Sequence, residues 1–338
     1  MSKIKEDSAR LISLVDRFPL LRVAVWGDFI LDEYLYGFTR RISREAPVMV
    51  ISYRSREYSL GGAGNAALNL SALGVEVEAV GVIGPDEGGR EVRRLLSQAG
   101  ISDRSVFTEK DFPTPLKTRI LAGEENTKKQ QILRIDREGE VPGKKTLQAR
   151  LEASLKKAAA SCDALLISDY HYQTVSENVY RTVRDAFRAA ARPVTVDSRF
   201  RLIRFKGCTI ATPNEPEVES QLKTPLGSQR SDLVSAGRTL LRRIQSPALL
   251  ITRGSGGMVL FERGKPPCFF PVFGSTDIVD VTGAGDTVIA VFTAALAAGS
   301  SFRDAARLAN FAGGLVVMKK GTAVVRPLEL KHAILDGH

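Results

Sequence analysis

The chain has 338 residues, enough for one large domain or two small ones with a sizeable core. Its 43% hydrophobic and 25% charged residues exclude a disordered or fibrous chain. The 48 Lys+Arg against 38 Asp+Glu leave a net +10, which favours anionic partners; the charges are dispersed, without the block that marks a nucleic-acid arm.

Met1 to Phe18 carries charges throughout and has no apolar signal core. Arg22–Gly27 reads as a buried strand. Asp28–Leu60, with Tyr34, Tyr36, Val48, Val50, Ile51 and Tyr53, reads as several strands. A helix over Gly62–Leu73, a strand over Val75–Val82 and a helix over Asp86–Ala99 follow. Thr114–Leu121 and Gln130–Asp136 are strand-like and interrupt the alternation. It resumes with a helix from Lys145 to Ala160, strand Ala164–Ser168, helix Val175–Ala190 and strand Val194–Asp197. Strand Thr209–Ala211, helix Asp232–Ile244, strand Ala248–Thr252 and a hairpin over Gly257–Val272 come next. Helices Gly283–Ala298, Phe302–Met318 and Pro327–Ile334 end the pattern.

Such alternation predicts a mostly parallel sheet with helices on both faces. The β-only stretches at about 29–60 and 105–136 do not fit that sheet and are expected to form a small lid over the strand ends, where ligands of such folds bind. The apolar stretch Val288–Ala298 is too short for a bilayer span of about 20 residues, so no membrane partner is expected. Cys162, Cys208 and Cys268 lie far apart, which fits neither a disulfide framework nor a metal knuckle and predicts a cytoplasmic protein.

Three His residues make a His-based metal site unpromising; His171 reads as a polar loop residue after a strand. Gly62-Ala63-Gly64-Asn65-Ala66-Ala67 matches a dinucleotide fingerprint, but no acidic residue ends the second strand at Val82, so a nicotinamide cofactor is not expected. The same glycines either pack a helix on the sheet or let a sugar approach Gly61 and Gly62 while Asn65 bonds a hydroxyl. The strongest signal is Asp280-Val281-Thr282-Gly283-Ala284-Gly285-Asp286, running straight into the apolar helix. Gly283, Ala284 and Gly285 would present unpaired N–H groups as an anion hole at the helix N-terminus. Asp286 either caps the helix or takes a hydroxyl proton during phosphoryl transfer. The helix end is expected to stabilise its charged form.

Asp280–Asp286 resembles the C-terminal signature of the ribokinase/PfkB carbohydrate kinases, and Gly61-Gly62-x-x-Asn65 their N-terminal signature. Asn214-Glu215-Pro216-Glu217 resembles the Asn-x-x-Glu motif of that family, and Thr252-Arg253-Gly254-x-x-Gly257 its phosphate-facing strand end. The likeness covers about residues 20–335. Within the family the chain is most similar to the heptose-7-phosphate kinases, through Gly27–Gly37, Arg41–Val48, Arg134-Ile135-Asp136 and Ser168-Asp169-Tyr170. Two segments depart from that likeness: His171-Tyr172-Gln173 stands where relatives carry a small residue, Lys and Gly, and Asp197-Ser198-Arg199 replaces Asp-Pro-Lys. No counterpart of the relatives' nucleotidyltransferase follows, so a separate protein is expected to supply any such step.

The resemblance implies a single kinase domain over 1–338, a three-layer α/β/α sandwich with a β lid, that moves the ATP γ-phosphate to a phosphosugar hydroxyl. It implies Asp286 as base and Gly283, Ala284 and Gly285 as anion hole. Asn214 and Glu217 would organise Mg²⁺ through water, and Thr252, Gly254, Gly257, Asn310 and Asp197 would face the nucleotide. Asp28, Gly61, Gly62 and Asn65 would hold sugar hydroxyls. Asp32 either joins them or starts the lid. Arg134 and Asp169 are expected substrate contacts, from the lid and a sheet edge, although Arg134 fits a salt bridge along the lid equally well. Many relatives use a monovalent cation such as K⁺. Arg40, Arg41 and Arg44 are expected to capture the sugar's phosphate, and the alternating apolar residues of the lid predict a homodimer.

Overall fold

The computed structural model describes residues 2–337 apart from 125–128, 228, 275–278, 320 and 322. In chain order the elements are α1 (Ser2–Asp16), β1 (Arg22–Ile42), β2 (Met49–Gly62), α2 (Ala63–Ala72), β3 (Glu76–Ile83), α3 (Glu87–Gln98), β4 (Ser102–Thr108), β5 (Leu116–Gly123) and β6 (Gln130–Arg137). There follow α4 (Lys145–Ser161), β7 (Ala164–Asp169), α5 (Glu177–Ala189), β8 (Val194–Ser198), β9 (Ile210–Ala211), α6 (Glu215–Leu222), α7 (Arg230–Arg243) and β10 (Ala248–Thr252). The hairpin of β11 (Met258–Glu262) and β12 (Cys268–Phe270), then α8 (Ala284–Ala297), α9 (Phe302–Val317) and α10 (Pro327–Asp336), complete the fold.

The main sheet has the order β12-β11-β10-β9-β8-β7-β1-β3-β4. Strands from β4 to β10 are parallel; β11 and β12 add as an antiparallel edge. Alternation along each strand divides the core into two layers. Val23 and Val25 of β1 pack toward α2, α8, α9 and α10, whereas Ala24 and Trp26 pack toward α4, α5 and α7. The result is the expected α/β/α sandwich.

The lid is built mainly by β1. Its first part, Arg22–Asp28, lies between β3 and β7. The strand then leaves the main sheet, pairing antiparallel with β2 from Phe29↔Gly62 outward and parallel with β5 from Leu31↔Leu116. With β6 antiparallel to β5, the lid order is β2-β1-β5-β6. Two expectations change, and one element is added. The strand read as ending at Gly27 continues to Ile42. The second lid segment begins at Leu116 rather than near 105, because β4 pairs parallel with β3 at the edge of the main sheet. The charged N-terminus forms α1: Leu11, Leu14 and Val15 share one face at helical spacing and are buried against the core, with Phe18 just beyond the helix.

Candidate active site

β7, β8 and β10 end together, and their last residues meet the N-terminus of α8. Asp169 ends β7, Asp197 lies near the end of β8, and Thr252 ends β10, where Asn214 forms a bridge with it. These residues and Tyr170, Arg199, Glu217, Gly283, Gly285 and Asp286 line a central cavity of about 240 Å³. A second, lid-side cavity of about 250 Å³ contains Asp32, Gly61, Gly62, Asn65, Lys117, Arg119, Arg134, Arg199 and Asp286. A third, mostly apolar cavity includes Thr252, Gly254, Gly257, Val272, Val288 and Asn310. Asp286 and Gly283 belong to the first two cavities, and Thr252 and Gly285 to the first and third.

Asp286 sits in the first turn of α8 with its residue 6% exposed. Its Oδ2 accepts from Asn65 Nδ2 at 2.7 Å, and its Oδ1 from the Tyr170 hydroxyl at 3.4 Å. Burial pushes the carboxyl up to about 7; Asp32 works the same way, while the Asn65 and Tyr170 bonds and the Lys117 charge pull it back. The helix end therefore does not set its charge as expected: desolvation dominates. Gly283 has φ +78°, and a Cβ there would lie 2.4 Å from Asn65 Nδ2, so glycine is required for this approach. A Cβ at Gly285 would meet nothing within 4 Å, leaving open space in front of the helix end. The expected anion hole is narrower by one donor, since Ala284 N–H donates to Val281 O at 3.2 Å.

Asn214 and Glu217 show both their local and their site role. They form a capping box for α6, with Glu217 N donating to Asn214 Oδ1 at 2.8 Å and Asn214 N to Glu217 Oε2 at 2.9 Å. Both also line the central cavity. Burial raises the carboxyls of Asp197 and Glu217, and for Asp197 the nearby charges of Glu217 and Asp286 add to it. Among the described residues no group of three His, Cys, Asp or Glu is arranged to hold a metal ion.

On the lid side, Asp32 is ion-paired with Arg119, and a Cβ on Gly61 would come within 2.5 Å of Asp32 Oδ2. Asp32 thus serves both as a lid residue and as a cavity wall. Arg134 likewise lines the cavity while its Nε donates to Asp136 Oδ1 at 2.9 Å. Asn310 lines the apolar cavity and donates to Pro271 O at 2.8 Å.

Asp28, Asp169, Arg40, Arg41 and Arg44 are placed otherwise than expected. Asp28 turns away from both cavities: its carboxylate accepts the backbone N–H groups of Tyr170, Tyr172 and Thr174 at 2.7, 3.1 and 3.3 Å. It holds the loop after β7, and burial, with Asp169 nearby, pushes its carboxyl up to about 6. Asp169 is on an interior strand, not a sheet edge, and is engaged by Arg201 and by Ser198 Oγ at 2.7 Å. It faces the central cavity rather than the lid side. Arg41 and Arg44 are exposed at the far end of the β1–β2 hairpin, as is Arg40. Roughly 30 Å of strand separates Arg41 from Asp32 at about 3.3 Å per residue, so these arginines are absent from the cavity walls of their own chain.

The cations that do face the site are Lys117, Arg119 and Arg199, together with Arg134. The sequence carries a signal for two of them: Lys117 and Arg119 are two apart on β5 and so share a face, while Thr118 between them bonds Glu33 on the other side at 2.6 Å. Lys117 Nζ lies 5.1 Å and Arg199 Cζ 5.6 Å from the Tyr170 ring centroid. Burial, then the charge of Arg199, lowers the Lys117 pKa. In the unusual His171-Tyr172-Gln173 segment, His171 and Gln173 have φ of +74° and +70°. Such left-handed backbone costs a side-chain-bearing residue about 1 kcal/mol or more. The Asp28 bonds offset that cost, as do the Tyr172 hydroxyl on Glu138 at 2.7 Å and Arg201 Nη1 on Gln173 Oε1 at 3.0 Å.

Residues 21–328 match the sequence profile described as pfkB family carbohydrate kinase. The Bifunctional protein HldE of Pelobacter propionicus is 37% identical over 333 residues, 98% of this chain and 67% of that protein. That of Geobacter metallireducens is 39% identical over 311 residues, 92% and 62%. The chain thus spans about two thirds of the length of these curated relatives. Among solved structures, Arabidopsis thaliana ribokinase complexed with ribose and ATP is similar with a TM-score of 0.69 and 21% identity, over 94% of this chain and 98% of that one. Phosphofructokinase-2 from Escherichia coli in complex with fructose-6-phosphate gives 0.73 and 15% over the same shares. The fold, the order of the signature segments and the extent of these matches place the chain in the pfkB family of carbohydrate kinases.

Proposed function

We propose that this kinase transfers the ATP γ-phosphate to the anomeric hydroxyl of a phosphosugar, with heptose 7-phosphate as the sugar. The observation that carries the reading is the position of Asp286, a buried carboxylate at the junction of a cation-lined and a carboxylate-lined cavity. A sugar phosphate is met on the lid side by Lys117, Arg119, Arg134 and Arg199, in place of the arginines at the hairpin tip. Gly61, Gly62, Asn65 and Asp32 border the sugar. Asp286 takes the hydroxyl proton as that oxygen bonds to the γ-phosphorus and the bond to the bridging oxygen of ADP breaks. A carboxyl near 7 is matched to accept a proton at neutral pH. The N–H groups of Gly283 and Gly285 at the open end of α8 face the transferred phosphoryl group.

Asp197 and Glu217, with the Asp197 pKa raised by burial and then by the Glu217 charge, make a donor set suited to a divalent cation that keeps most of its waters. Asn214 and Glu217 would hold Mg²⁺ through water, where it supplies neutralising charge to the phosphates. The apolar cavity, with Thr252, Gly254, Gly257 and Asn310, receives the nucleobase. Escherichia coli phosphofructokinase-2 has been solved in complex with potassium, which motivates including K⁺. We place the protein in the cytoplasm as a homodimer joined through the lid, where Val48, Met49, Tyr53, Leu133 and Ile135 are more than half exposed.

The test is ATP turnover with Mg²⁺ and K⁺ against a panel of sugars and sugar phosphates. The reading requires the largest kcat/KM for heptose 7-phosphate. Preference for an unphosphorylated sugar would replace it with another sugar-kinase activity of the family, and no turnover with any sugar would leave a binding protein.

A further inference from the structure

The proposed base does not stand alone: its partner Asn65 is itself held by two buried polar residues that no cavity exposes. Asn65 and Asn69 lie four apart on one face of α2, which packs against α8. Asn69 Nδ2 donates to Asn65 Oδ1 at 3.2 Å and to Asn65 O at 2.9 Å. Asn69 Oδ1 in turn accepts from Thr287 Oγ1 at 2.9 Å. Asn69 is 1% and Thr287 0% exposed.

We infer that Thr287 and Asn69 are positioning residues that fix the amide of Asn65 with its N–H on Asp286, and so fix which carboxylate oxygen is free to receive the substrate proton. This rests on the reading of Asp286 as the base. An asparagine amide can be turned end for end, and each link here removes that freedom. The backbone oxygen of Asn65 can only accept, so Asn69 turns its NH₂ to it and its oxygen to the Thr287 hydroxyl, which donates there. Asn69 must then present its NH₂ toward Asn65, which presents its oxygen there. Asn65 is left with its NH₂ on Asp286 Oδ2. Turned round, Asn65 would set its oxygen against a carboxylate oxygen and its NH₂ against another NH₂, two repulsive contacts in a buried place. The chain of donors thus occupies Oδ2 and leaves Oδ1 with the longer bond from the Tyr170 hydroxyl at 3.4 Å, the oxygen that would take the substrate proton.

The other charged or titratable groups acting on Asp286 are Asp32 and Lys117 from the lid, Tyr170 from the loop after β7, and Asp197 from β8. None of them bonds Asn69, so a change at Asn69 reaches Asp286 through Asn65; the Thr287 hydroxyl also lies 3.3 Å from Gly283 O, a bond that Thr287→Val loses and Asn69→Ala keeps, so the same shift in both variants is what the Asn65 route requires. Loss of the Asn65 bond removes an influence that lowers the Asp286 pKa. The acid limb of the kcat–pH profile then moves to higher pH.

The experiment compares Thr287→Val, which keeps the shape and removes the hydroxyl, with Thr287→Ser, which keeps the hydroxyl. Asn69→Ala and Asp286→Asn serve as references, and thermal unfolding is followed for all four. Thr287→Val is expected to lower kcat about 5- to 20-fold, to move the acid limb upward by about half a pH unit or more, and to leave KM for ATP within about twofold. Thr287→Ser should restore kcat and the profile. A Thr287→Val enzyme with wild-type kcat and profile, or one no different from Thr287→Ser, overturns the positioning role while a dead Asp286→Asn leaves the base assignment standing. Near-normal turnover in Asp286→Asn overturns the base assignment itself.

Discussion

The two cavities that meet at Asp286 are built from opposite charges. The lid side is lined by Lys117, Arg119 and Arg134 against one carboxylate, Asp32; the strand-end side holds Asp169, Asp197 and Glu217; Arg199 and Asp286 border both. Neither half is compensated in the same way. Arg119 is paired with Asp32 and Arg134 with Asp136, whereas Lys117 and Arg199 rest against the Tyr170 ring. Asp169 is ion-paired with Arg201; burial raises the pKa values of Asp197, Glu217 and Asp286, with the Arg199 charge pulling the first two back. A cation-lined site calls for an anionic ligand, and a desolvated acidic one for a cation. The net charge of +10 describes neither. What matters for binding is how the fold sorts charges to the two sides of one residue.

The sharpest way to break this partition is at the helix end between the two sides. Gly285→Val has room at its Cβ, so the fold should survive, but the side chain would fill the space in front of α8. We expect kcat to fall at least about 10²-fold with an unchanged far-UV spectrum; a variant with normal kcat would show that no phosphoryl group occupies that space. Next in size are the lid cations. Lys117→Ala and Arg199→Ala should each lower kcat/KM roughly 10- to 100-fold for a phosphosugar and much less for its unphosphorylated parent, as expected for a charge-assisted contact. Equal losses for both sugars would assign these cations to general packing.

A third prediction concerns stability. Asp286 has its folded-state pKa raised to about 7, against an ordinary 3.8. Folding therefore favours the protonated form, and the associated stability, full below about pH 4, is lost as pH rises through about 7. Asp286→Asn does not titrate there, so its stability relative to wild type should increase between pH 4 and 8, by on the order of 2 kcal/mol or more. A difference that is flat with pH would mean that burial does not perturb this carboxyl. The smallest effect is expected at the hairpin tip: Arg41→Ala and Arg44→Ala should change kcat/KM for a phosphosugar by less than about threefold. A larger, phosphate-selective loss would restore the tip as the phosphate site and would require it to reach a cavity other than that of its own chain.

The same contrast shows what a sequence carries. The central sheet is legible where its strands are short apolar runs between helices, as β7 and β8 are, and not at β4, whose Ser-Asp-Arg-Ser start hides it; the helix-end motif at Gly283–Asp286 is legible because its parts are adjacent. The fold class and the main strands follow from such local patterns. The pairing of Asn65 with Asp286 brings together residues far apart in the chain, and only the family resemblance puts both at one site. Asp28 misleads for a physical reason: an aspartate at the end of a central strand suits a sugar hydroxyl or a set of loop N–H groups equally well, and only the path of the 170–174 loop decides. Arg41 and Arg44 mislead because charge on a connection says nothing about how far the hairpin extends. Lys117 and Arg119 were readable as same-face residues, but which face meets the site depends on β5 pairing parallel with the outgoing half of β1.

The role proposed for Asp286 is to take the proton of the acceptor hydroxyl where the two cavities meet. It is tested most directly by measuring single-turnover phosphoryl transfer and ATP binding together in Asp286→Asn. The account predicts ATP affinity close to wild type and transfer slowed by at least about 10²–10⁴. Transfer at near wild-type rate, with ATP bound normally, would contradict it.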